Sequence, residues 1–99
     1  MRSSYFLGVT ALAHILERHY YKINRYPDAG KFHIPLPDIL AYIREAHALP
    51  ATASPGSNNF QRTIHSSQII GFDKYGRPSD CITVITNSGG SIITAFPGF

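Results

Sequence analysis

The 99-residue chain has little cysteine, little charge and no long apolar run. Its single cysteine, Cys81, excludes an internal disulfide framework, and without a cysteine pair it argues against a structural zinc site even beside five histidines. Cys81 opens the apolar run CITVIT and reads as a buried, inert thiol. The longest apolar stretch near the start, YFLGVTALAHIL, is shorter than the roughly 18 to 20 residues that span a bilayer, and a histidine interrupts it. It lacks a polar end with small cleavage-site residues, so neither a membrane segment nor a signal peptide is expected there. With 15% charged against 43% hydrophobic residues, the chain is too apolar for a disordered tail and is expected to fold. There is no internal repeat and no low-complexity segment.

What is present fits one domain, residues 1–99, with a modest core, since a chain this short buries only roughly 60 to 65% of its unfolded surface. Nine Lys and Arg against six Asp and Glu give a formal charge of +3, a mild basic excess compatible with a polyanionic partner. Leu12, Ile15, Leu16 and Ile23, joined by Tyr20, form a helical stripe, which predicts a helix from Ser4 or Thr10 to Asn24. Pro27 and Gly30 in RYPDAGK end it. Leu36, Ile39, Leu40 and Ile43 predict a second helix running to Ala46, with Pro37 and Asp38 in its first turn. LPATASPGSNN reads as an exposed loop. From Phe60 the composition turns to Ile, Val, Thr and Phe, with strands in FQRTIHSSQIIGFD, DCITVITN and SIITAFP and a hairpin turn from Asn87 to Gly90. The expected class is α+β: two N-terminal helices (about 4–48), a loop (about 49–59), and an antiparallel sheet of three to four strands (about 60–97) whose one face the helices cover.

AHILERHYYKINRYPDAGKFHIP, from Ala13 to Pro35, holds His14, His19 and His33 among its cations. His14 and Arg18 share a helix face that Tyr21, Lys22 and Arg25 also reach. His19 lies about 140° round from His14, close to the apolar stripe, and so points towards the sheet or its edge. Spacing of five does not bring both rings to one face as spacing of four does, which disfavours a zinc pair. Taken singly, His19 reads first as a hydrogen-bonded core histidine and His14 as a solvated surface residue. His47 ends the second helix, where a cationic ring suits the dipole, and His65 falls on a strand. Tyr20, Tyr21, Tyr26, Phe60 and Tyr75 could stack bases or simply pack.

HILERH, GKFHIP and the C-terminal SIITAFPGF together resemble the barnase-EndoU-colicin-RelE superfamily of bacterial toxin and phage ribonucleases, in particular EndoU-like C-terminal toxin domains. The resemblance implies a histidine-bearing helix ahead of a sheet whose last strand ends in a Thr-Ala-Phe-Pro-like segment. It places catalytic roles on His14, His19 and the strand hydroxyl of Thr94; Arg62, in the strand-like FQRTIH, is the best basic candidate from the sheet. Lys31, His33 and Arg18 are further candidates for catalysis or phosphate binding, and either His19 or His33 could partner His14. It also implies an RNA substrate, tRNA being one candidate, and a cognate immunity protein. The domain would be a delivered effector acting in the target-cell cytoplasm, with no cofactor, metal, membrane or DNA.

The residue types suit metal-free RNA cleavage, which needs a base for the ribose 2′-hydroxyl proton, an acid for the leaving 5′-oxygen, and donors for the charge on the phosphorane. Histidine fills the first two roles near neutral pH, and arginine grips phosphate with a bidentate fork. DNA lacks the attacking hydroxyl. The alternative is a non-catalytic RNA- or protein-binding module; an immunity or antitoxin protein fits less well, because partners of basic nucleases tend to be acidic.

Overall fold

Ile15, fully buried, anchors helix α1 (Val9–His19), and Leu12 and Leu16 flank it half-buried on the same stripe. The computed structural model describes residues 5–20 and 30–98. Helix α1 is shorter than its periodicity predicts. Tyr20 leaves it in an extended conformation (φ −87°, ψ 130°) and forms a parallel bridge with Phe32. Pairing with a buried neighbour has overridden the continuing helical pattern; Ile23 and Asn24 lie outside the described residues.

Strand β1 (Lys31–Phe32) precedes helix α2 (Leu36–Ala46), whose bounds match the sequence reading. Pro35 is its N-cap, Asp38 sits in its first turn, and Ile39, Ile43 and Ala46 are its buried face. The loop expected after it contains a two-residue strand, β2 (Thr52–Ala53). Strands β3 (Phe60–His65), β4 (Gly71–Phe72), β5 (Pro78–Ser79), β6 (Cys81–Thr86) and β7 (Ile92–Pro97) complete the chain.

The α+β class holds, with two sheets where the sequence suggested one. A four-stranded antiparallel sheet runs β2-β3-β6-β7, and a small three-stranded one runs β1-β4-β5. Both helices precede the larger sheet, but β1 separates them, so they are not a contiguous N-terminal pair. In the small sheet β1 and β4 approach so closely that a Cβ at Gly71 would collide with the Lys31 carbonyl.

Register decides which side chains meet. Ile82, Val84 and Ala95 share one face of the sheet and join Ile15 of α1 and Ile39 and Ile43 of α2 in the core. Arg62, opposite Val84, and Ile64, opposite Ile82, share that face. The other face carries Thr63, Thr83, Thr94 and Phe96, and the Thr63 and Thr83 hydroxyls meet at 2.9 Å. Strand β6 is central and almost wholly buried, so its two faces do not differ in exposure as an edge strand's would. The β6–β7 hairpin turns where expected: the Asn87 carboxamide oxygen accepts from the Gly89 and Ser91 amides, and Gly90 takes φ 87°.

Candidate functional site

The two histidines of α1 meet beside β7. Their rings stand edge to face, centroids 6.1 Å apart and planes at 74°. His19 is only 8% exposed, its ring 5.9 Å from that of Phe96 on β7. His14, half-buried, lines an open depression of about 440 Å³ with Val9, Thr10 and Ala11 of α1 and Ser91 and Ile93 of the facing chain. The first turn of α1 contains no acidic side chain, so nothing on the helix offsets the positive end of its dipole there.

His19 Nδ1 lies 2.8 Å from the Gly30 carbonyl oxygen. A carbonyl only accepts, so the neutral ring carries its proton on Nδ1 and its lone pair on Nε2. Burial pushes the His19 pKa down to about 4; the Gly30 bond opposes that shift, and His14, Arg18 and Lys31 add to it. The ring is neutral at physiological pH.

The segment after the undescribed residues closes on the same helix end. Lys31 donates from Nζ to the Arg18 carbonyl at 2.6 Å, a cation against the C-terminal carbonyls of α1. Burial and the neighbouring Arg18 lower its pKa. His14, Arg18, His19 and Lys31 thus form one group. Thr94 stands two residues before Phe96 on the same face of β7, and its buried Oγ1 is the one side-chain atom of its kind without a hydrogen-bond partner among the described residues. Such an atom costs stability, which makes it a candidate for function.

The other expected site residues lie elsewhere. Arg62 donates from Nε to the Leu49 carbonyl at 3.1 Å, and its guanidinium lies 4.9 Å over the Tyr5 ring. Tyr5 in turn stacks on His47 at 4.5 Å and donates to the Ile43 carbonyl, which makes Arg62 part of the cluster that closes the end of α2. Burial raises the Tyr5 pKa to about 12, against the pull of Arg62. His33 follows β1 and meets the edge of Phe72 at 5.1 Å, in the small sheet. Tyr21, Lys22, Arg25 and Tyr26 lie outside the described residues.

One cluster was not anticipated. His65 and Cys81 face each other across β3 and β6, with Nδ1 and Sγ 3.1 Å apart, and the thiol donates to Asp80 Oδ1 at 3.2 Å. Burial and that carboxylate push the thiol up to about 11, so it is a poor nucleophile. Sixteen residues separate His65 from Cys81, and only strand register brings them together.

No family model, curated protein or solved structure matches the chain.

Proposed function

We propose that the chain is a metal-independent endoribonuclease domain with the His14 and His19 pair at its centre. The single observation that carries the reading is the meeting of these two imidazoles beside an open depression, one of them fixed in tautomer by a backbone carbonyl. His19, neutral with its lone pair on Nε2, is in the right protonation state to take the ribose 2′-hydroxyl proton, and its lowered pKa makes it a weak base that acts through position. The 2′-oxygen then attacks phosphorus, the bond to the 5′-oxygen breaks, and His14 gives that oxygen its proton. A 2′,3′-cyclic phosphate and a 5′-hydroxyl result. Arg18 and Lys31 supply positive charge beside the pair, and the buried Thr94 hydroxyl, which has no protein partner among the described residues, can add a donor only once substrate binding uncovers it. The layout of a histidine-bearing helix ahead of an antiparallel sheet that ends in Thr94, Ala95, Phe96 and Pro97 is the one the superfamily resemblance implies. On that resemblance rests the wider setting: an RNA target such as tRNA, delivery into another cell's cytoplasm, and an immunity protein.

A second reading, a non-catalytic RNA-binding module, is favoured by Tyr75, 68% exposed, with Lys74 and Arg77 at 5.2 and 5.0 Å from its ring. Incubating the purified chain with total RNA in EDTA separates the two. Cyclic-phosphate ends are expected; RNA retained but uncut would leave only the binding module.

A further inference from the structure

We propose that His65, Asp80 and Cys81 form a binding site for one divalent transition-metal ion of the zinc type, separate from the histidine pair on α1. Their ligand atoms, Nδ1, a carboxylate oxygen and Sγ, all lie within 4.8 Å of one another. The sulfur is 3.1 Å from the imidazole nitrogen and 3.2 Å from the carboxylate oxygen. Around a tetrahedral zinc ion such atoms stand roughly 3.5 Å apart. The two sulfur distances need only to open by a few tenths of an ångström, and the exposed Asp80 side chain can swing to complete the triangle.

The backbone around the cysteine is already held. Ser79 Oγ accepts from the Cys81 amide and donates to the Cys81 carbonyl, both at 3.1 Å, and Gly98 donates to that carbonyl at 2.9 Å. Next to it, the Ser66 amide bonds the Asp80 carbonyl at 2.7 Å. The Cys81 and His65 backbones are thereby held opposite each other by β-sheet pairing before any ion arrives, which reduces the ordering an ion must impose.

The donor set selects the ion. Thiolate and imidazole suit zinc, cobalt(II) and their neighbours, whereas magnesium and calcium prefer oxygen throughout. A bound cation takes the place of the thiol proton, which leaves to solvent, and the Asp80 carboxylate becomes its third ligand. Three protein ligands would leave a fourth position for water or another ligand, and two of the three residues, His65 and Asp80, are exposed. The ion would also tie together the two ends of the excursion through β4 and β5, which departs at His65 and returns at Asp80.

Titration of the untagged, chelator-stripped chain with cobalt(II) tests this. One ion per chain is expected, with thiolate-to-cobalt charge-transfer absorption and release of a proton, and zinc should displace the cobalt and raise the melting temperature. Cys81→Ser should abolish the absorption. His65→Gln and Asp80→Asn, both at exposed positions, should keep the fold and lose at least about tenfold in affinity, since loss even of a ligand's outer-shell partner costs that much. No charge-transfer band in the wild-type chain, or affinity unchanged in both exposed variants, would overturn the proposal. These readouts do not involve RNA, so they stand or fall apart from the nuclease reading.

Discussion

The histidine pair on α1 and the histidine, thiol and carboxylate at the start of β6 are built in opposite ways. On α1, His14 and His19 are five residues apart, joined by one helix, and the deeper ring is fixed by a main-chain carbonyl. At the junction of β3 and β6, the Cys81 thiol lies between the His65 imidazole and the Asp80 carboxylate, side chain to side chain across a strand pair. The first arrangement holds a neutral ring in one tautomer, which is what proton transfer asks of a base. The second gathers three different donor atoms, which is what a metal ion asks. Position alone does not distinguish catalytic from ligating histidine; the partner does.

The largest effect expected from breaking this contrast is at His14. His14→Ala should lower RNA cleavage by roughly 10² to 10⁴-fold, as removal of one proton-transfer group does, and leave the melting curve and metal binding nearly unchanged. Full cleavage by that variant would remove the site from α1. His19→Ala should lose activity and also about 1 to 3 kcal/mol of stability, because it leaves the buried Gly30 carbonyl without its donor. Denaturant unfolding of the two variants side by side checks the difference.

A smaller effect lies in the pH dependence of folding. The folded His19 pKa of about 4 is below the ordinary 6.5, so between these values the unfolded chain binds the extra proton. Stability is therefore full above about pH 6.5 and is lost as pH falls towards 4, by at most about 1.4 kcal/mol per pH unit. His14, Arg18 and Lys31 all add to the penalty of charging the ring. His19→Gln should flatten that part of the profile. If the slope survives, another group sets it. In cleavage assays, a His19 base predicts an acid limb near pH 4 instead of near 6.5.

Local pattern carried the sequence a long way. The spacing of Leu36, Ile39, Leu40 and Ile43 gave α2, and Asn87 with the glycines after it gave the hairpin turn. What failed needed tertiary knowledge. The end of α1 was read too late because the bridge between Tyr20 and Phe32 is invisible to periodicity. Strands of two residues are too short to show alternation, which hides the small sheet of β1, β4 and β5 and the edge strand β2 of the larger one. In FQRTIH, alternation says that Arg62 and His65 face opposite ways, but not which way. Register answers: Arg62 lies opposite Val84 and reaches the cluster of Tyr5, whereas His65 lies opposite Cys81. The helix pair was legible because a helix converts spacing into direction without help from the rest of the chain. The strand cluster was not, because its two halves belong to different strands.

The smallest expected effect is also the one whose sign is most informative. Thr94 Oγ1 is buried without a partner, so its hydroxyl weakens the folded state. Thr94→Val keeps the shape and removes that oxygen, and should raise stability by about 1 kcal/mol, since burying a polar atom unpaired carries a penalty of that order. For a chain of this size that corresponds to a melting temperature about 4 to 8 °C higher. A purely structural threonine would give that gain with RNA cleavage untouched. A threonine that donates to the phosphorane would give the same gain with cleavage reduced, because the group that is idle in the free protein is then used only in the reaction. Scanning calorimetry and a cleavage assay on one variant read both quantities. Loss of stability on Thr94→Val would mean that the hydroxyl has a partner after all, and the claim of a donor held in reserve for substrate would fall.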